Sequence, residues 1–125
     1  NMKKTLAAVL AAGALLIGGI GSVDAANWYT VGTDSSGVTW SIDNDSVKKD
    51  DKKAVMDIKA MDYEGYHYIV TEEFNHKKRE VKDLKVTLYN PQGYVVKEEQ
   101  VNKNSRKVEP GTPAYAVFQL IWGGK

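Results

Sequence analysis

The chain reads as a mainly β domain of the α+β type: about six strands in an antiparallel meander, with one C-terminal helix packed on the sheet. Three observations predict this. Short runs of β-branched and aromatic residues alternate with polar ones at a period of two. Compact turns of Asp, Asn, Ser, Pro and Gly separate these runs. One late segment instead carries a helix start signal, Thr112-Pro113, before an apolar stretch.

The clearest hairpin organises the rest. From Arg79 to Tyr89, Leu84, Val86 and Leu88 alternate with Lys85, Thr87 and Tyr89, which puts one apolar row on one face. Asn90-Pro91-Gln92-Gly93 reverses the chain, because Pro presets the first corner and Gly tolerates positive φ where Tyr94 to Glu98 returns.

Earlier strands pair outward from this hairpin. Asn27 to Gly32 is a first strand and Val38 to Ile42 a second, with Val38, Trp40 and Ile42 sharing a face. Asp43 is placed to cap a single helical turn that Val47 anchors. Lys48 to Lys53 is a charged connector of mixed sign, read as a loop. Ala54 to Tyr63 is a third strand, with Met56, Ile58 and Ala60 on one face. After Glu64-Gly65 comes a fourth strand, in which Tyr66, Tyr68, Val70 and Phe74 share a face with Glu72. Asn75 to Lys78 turns into the opening hairpin. Short connections between successive strands are the mark of a meander.

Asn102 to Lys107 reads as a polar loop. Thr112 is a good N-cap and Pro113 suits the first helical position, where its missing N–H costs nothing. Tyr115, Phe118 and Ile121 or Trp122 recur at helical spacing, and Gly123 is a natural stop. A seventh strand is the rival reading of this segment, since Tyr, Val, Phe, Ile and Trp also favour strands.

The chain has 125 residues, enough for one domain. Residues 1–25 differ from the rest. Lys3 and Lys4 precede an apolar run from Leu6 to Ile20, and Val23-Asp24-Ala25 offers a cleavage site. That is the three-part pattern of a secretory signal peptide, predicting export and a mature domain over 26–125. The rival is a retained anchor, but the run is shorter than the ~20 residues that span a bilayer. Any membrane association is therefore expected only through this leader. Its Met-Lys-Lys start looks bacterial.

Removing residues 1–25 takes away Lys3, Lys4 and Asp24, leaving 15 basic and 15 acidic residues. This balance argues against a nucleic-acid footprint. There is no cysteine, so neither a disulfide nor a lipid-modified cysteine enters the account.

No enzyme signature emerges. Asp43-Asn44-Asp45 opens like a calcium loop but lacks its later glycine and glutamate. His67 and His76 show no metal-ligand spacing and read as two surface histidines. Glu72 and Glu73 point to opposite faces, so they do not form a pair on one face. No catalytic residue, metal or cofactor is expected. Two basic clusters, around Lys77, Lys78 and Arg79 and around Arg106 and Lys107, are candidate contacts for an acidic partner or a sulfated polysaccharide. An aromatic set, Trp28, Tyr29, Trp40, Tyr63, Tyr66 and Tyr68, lies in neighbouring strands, with Tyr66 and Tyr68 the candidates for protein contact.

The motifs Trp28-Tyr29-x-Val31-Gly32, Trp40-Ser41-Ile42-Asp43 with Asp45-Ser46-Val47, Val86-Thr87-Leu88-Tyr89, and Val108-Glu109-Pro110-Gly111-Thr112 together resemble the bacterial surface-adhesin protein E-like family. The resemblance spans the mature chain. It implies a small antiparallel sheet with a C-terminal helix and a surface-exposed or exported binding protein. The named member binds host matrix proteins and forms dimers. Many members carry two cysteines, whose places correspond here to His76 and the region of Trp122; both are absent together.

The expectation is a non-enzymatic, adhesin-like protein of the cell surface, periplasm or medium, contacting an extracellular protein or forming a homodimer or higher oligomer. Two alternatives stand beside it. One is a self-assembling structural subunit. The other is a periplasmic protein with a small-ligand pocket or minor enzyme activity.

Overall fold

A computed structural model describes residues 26–101 and 104–123. Residues 1–25, where a signal peptide is expected, lie outside the described residues. The elements are β1 (Trp28–Thr33), β2 (Thr39–Asp43), β3 (Lys48–Lys49), β4 (Lys53–Met61), β5 (His67–Asn75), β6 (Glu80–Tyr89), β7 (Val95–Gln100), β8 (Arg106–Lys107) and α1 (Pro113–Trp122). All strands pair antiparallel in one sheet of order β1-β2-β4-β5-β6-β7. The expected sheet and helix are thus present, with two additions. Lys48–Lys49 pairs with the start of β4, and Arg106–Lys107 pairs with the start of β6. The sequence predicts loops for both segments, because two residues are too few for alternation to register. Each extends the sheet where its long neighbour outruns β2 or β7.

Three hairpin turns share one design: Asp34 to Gly37, Asp62 to Gly65 and Asn90 to Gly93. In each, the glycine N–H donates to the first residue's carbonyl at 2.9–3.0 Å. The first residue's Oδ1 also accepts two later backbone N–H groups, which fixes the turn locally. At Asp34 partial burial opposes ionisation. Hydrogen bonds from the Trp40 indole, the Ser36 hydroxyl and the Val38 and Ser36 amides prevail and hold its carboxyl below the usual range. These three turns connect β1–β2, β4–β5 and β6–β7, so they lie at the same end of the meander. The β5–β6 turn, β3 and β8 occupy the other end.

One face of the sheet carries the rows Ala54–Phe74–Val81, Met56–Glu72–Asp83, Ile58–Val70–Val86 and Ala60–Tyr68–Leu88, continued by Trp40 and Ile42 of β2. α1 contributes Ala114, Val117, Phe118 and Ile121 to the same core, an i, i+3, i+4, i+7 stripe. The Thr112 hydroxyl accepts the Tyr115 N–H, and Gly123 ends the helix at φ 65° in the left-handed region, so the helix reading holds over the strand rival. Asp43 caps a single 3-10 turn, Asn44–Ser46, as its sequence predicts.

The expected row of Leu84, Val86 and Leu88 needs correction. Between Thr71 and Glu72 the β5–β6 register shifts: Glu72 pairs with Asp83, but Thr71 pairs with Lys85. Leu84 is the extra residue of a β-bulge. Val86 and Leu88 stay on the helix-bearing face, and Asp83 takes the place on that face which the alternation assigns to Leu84.

The histidines also depart from the surface reading. His67 is buried and stacks on Tyr89, its cross-strand partner, with centroids 5.0 Å apart. His76 stacks on Trp122 at 4.2 Å with planes 2° apart, meets Phe118 edge-on, and its Nδ1 hydrogen-bonds the Asp51 carbonyl. Trp122 Nε1 donates to the Asp50 carbonyl and Lys49 Nζ to the Ile121 carbonyl, so the C-terminal turn of α1 is tied to the β3–β4 segment.

Candidate functional site

The most heavily buried carboxyl groups sit between β5, β6 and β8. Glu72 and Asp83 are each 1% exposed, side by side on the helix-bearing face. One Arg106 nitrogen, Nη2, donates to Glu72 Oε2 at 3.0 Å and to Asp83 Oδ1 at 3.1 Å. Two carboxylates facing one guanidinium would leave a net buried negative charge. Burial first, and then Asp83 beside it, pushes the Glu72 carboxyl well above its usual range. Burial and the neighbouring carboxyl thus favour the neutral acid form of Glu72. Asp83 Oδ2 beside it is buried with no hydrogen-bond partner. The arrangement fastens three strands together. It offers a substrate no access, because both carboxylates are sealed from solvent.

The candidate contact residues separate towards the two ends of the sheet. Lys77, Lys78 and Arg79 form the β5–β6 turn, with Arg79 at φ 54° and its guanidinium over the Phe118 ring. β8 brings Lys107 beside them, where its Nζ donates to the Lys78 carbonyl at 3.1 Å. The two basic clusters, distant in sequence, thus meet in space. Lys52 joins them, since its carbonyl accepts the His76 N–H. Arg106 differs from its neighbour: it turns inward to the carboxyl pair.

Tyr66 and Tyr68 lie towards the hairpin end. Tyr68 is buried in the core, and Tyr66 is partly buried beside the Asp62 turn. The exposed aromatics there are Tyr63, 83% exposed, and Tyr94, 71% exposed. Their turns pack against one another: a Cβ on Gly65 would lie 3.0 Å from Pro91 Cβ. The start of β7 adds exposed Val95 and Val96. A nine-residue strand separates the two ends by roughly 25–30 Å.

The opposite sheet face holds further perturbed groups. Burial raises Asp57 despite a 2.8 Å hydrogen bond from the Thr71 hydroxyl. Burial lowers Lys59, whose ammonium lies 4.6 Å from the Trp28 ring centroid. Burial also lowers His67, and the Tyr89 hydroxyl is pushed up to about 12. These groups are spread along three strands. Among the described residues no three metal-binding side chains converge.

Sequence reasoning reaches Glu72, placing it correctly among apolar neighbours; a lone acid in such a row is the available signal. It misses Asp83, whose inward place depends on the bulge, and the inward role of Arg106. It also passes over Tyr94, which follows a turn glycine at the start of the return strand.

Among the described residues, one antiparallel sheet with one α-helix across its face defines the class as a small α+β domain. The family model for surface-adhesin protein E matches residues 28–121, and the chain belongs to that family. Membership points to a surface adhesin, working at the cell surface or outside the cell. No curated protein and no solved structure matches the chain.

Proposed function

We propose that the protein is an exported, non-enzymatic adhesin whose domain, residues 26–125, follows a cleaved signal peptide and binds a protein of a host or neighbouring cell. The observation that carries this reading is the pair Tyr63 and Tyr94, largely exposed on two turns that brace one another. Tyrosine on a rigid turn supplies a large contact area at small entropic cost, and tyrosines are enriched among residues that dominate binding. The basic end, with Lys77, Lys78, Arg79 and Lys107, offers a second contact for an acidic surface.

Self-assembly through the sheet edges is the competing reading. Both edge strands carry a bulge, β1 between Thr30 and Gly32 and β7 opposite Leu88 and Tyr89. Bulges twist an edge away from further pairing, so partner binding through the turns is favoured.

The test is a binding screen of the purified protein against immobilised extracellular matrix proteins, with Tyr63→Ala/Tyr94→Ala and Lys77→Glu/Lys78→Glu variants. The tyrosine variant is expected to lose roughly tenfold or more in affinity for the partner found. The charge-reversed variant should lose the salt-sensitive part of the on-rate. Unchanged binding in both variants refutes the proposed surfaces.

A further inference from the structure

A cleft of about 340 Å³ opens beside the C-terminal half of α1, at the β3 end of the sheet. Its floor is Ile42, Met56 and Ile121; Tyr29, Val47 and Leu120 form its walls. Leu120 is 51% exposed and Tyr29 49%, two of only six large apolar side chains left in solvent among the described residues. Both frame this one opening. Its polar groups, Asn44 and Lys49, are exposed residues at its mouth.

The cleft is already shaped. Lys49 Nζ is fixed by its 2.7 Å bond to the Ile121 carbonyl, and Trp122 Nε1 holds the same helix turn to the Asp50 carbonyl. The opposite wall is held by the β1–β2 ladder, in which Tyr29 pairs with Ile42. Preformed apolar clefts of roughly 300–1,000 Å³ with a few placed polar groups are the usual form of small-ligand sites. This one lies at the small end of that range, suited to a single short hydrocarbon chain.

The rim selects the head of that chain. An ammonium has three donors, and one of Lys49's is spent on Ile121. Two remain for an anion, and the Asn44 amide adds a neutral donor. The helix C-terminus beside Lys49 carries only a partial negative charge, so a full positive charge dominates the mouth.

We propose that this cleft binds a medium-chain aliphatic monocarboxylate, with the hydrocarbon against Ile42, Met56, Leu120 and Ile121 and the carboxylate on Lys49. The cleft uses none of the residues of the adhesive surfaces proposed above, and either reading can fail without the other.

The experiment is a titration of the isotopically labelled protein with sodium decanoate and, separately, with 1-decanol, read by methyl and amide NMR shifts. Decanoate is expected to saturate below about 1 mM, the affinity scale that a few well-buried contacts provide, with shifts centred on Met56, Leu120 and Ile121. Leu120→Glu changes an exposed residue, so the fold is kept, and it should abolish both titrations. Lys49→Gln retains a donor for the Ile121 carbonyl and should weaken decanoate roughly tenfold while leaving decanol unchanged, since a charge-assisted hydrogen bond is lost. No saturation, shifts centred elsewhere, unchanged binding in Leu120→Glu, or equal effects of Lys49→Gln on the two probes would each overturn the assignment.

Discussion

Replacing Arg106 by Met tests the physics of the buried carboxyl pair. The substitution keeps much of the side-chain volume and removes both charge-assisted hydrogen bonds to Glu72 and Asp83. Breaking a buried pair by removing one partner costs about 3–5 kcal/mol, since the other charge stays desolvated. The Arg106 side chain is 33% exposed, so water screens part of the interaction. The expected loss is therefore at the low end, about 3 kcal/mol. For a domain near 100 residues that is a drop in Tm of about 12–24 °C.

Glu72→Gln is the companion variant. The folded-state pKa of Glu72 is raised above its ordinary 4.5. The folded protein thus keeps a proton that the unfolded chain releases as pH rises past that value. Stability is fully retained below 4.5 and falls as pH climbs from there towards the raised folded value. The glutamine amide mimics the protonated acid, so this variant should be as stable as the parent near pH 4 and more stable at pH 8. Urea unfolding followed by tryptophan fluorescence at both pH values measures each effect. A loss under 1 kcal/mol for Arg106→Met at pH 7, or an unchanged pH slope for Glu72→Gln, would refute this account of the buried carboxyls.

Two further outcomes follow from the turns and the helix clasp. Gly65 and Gly93 sit at φ +96° and +90°, but a Cβ meets Pro91 only at Gly65. Gly93→Ala should cost about 1 kcal/mol from backbone strain alone, and Gly65→Ala about 2–3 kcal/mol; thermal unfolding of the pair separates strain from crowding. His76→Ala removes the stack on Trp122, the edge contact with Phe118 and the bond to the Asp51 carbonyl. It should cost about 1–2 kcal/mol and raise amide hydrogen exchange in residues 113–122 ahead of the central strands.

Much of this protein was determined by local sequence. Asp or Asn followed three residues later by Gly sets each of the three hairpin turns, because the side chain closes the turn on its own backbone and the glycine accepts positive φ. Thr112, Pro113 and Gly123 bound the helix for equally local reasons. Strand faces follow from alternation wherever the ladder is unbroken, as in Val38, Trp40 and Ile42 or Met56, Ile58 and Ala60. The tertiary structure alone decided what depends on register and on segments distant in the chain. One bulge residue, Leu84, changes the parity of β6 and turns Asp83 inward to meet Glu72. Two-residue β8 then supplies Arg106 from a stretch too short to show a period, and it sets Lys107 beside the Lys78 turn. The tyrosines on braced turns and the cleft beside Leu120 likewise arise from packing between elements, and periodicity within one strand carries no information about its neighbour's register.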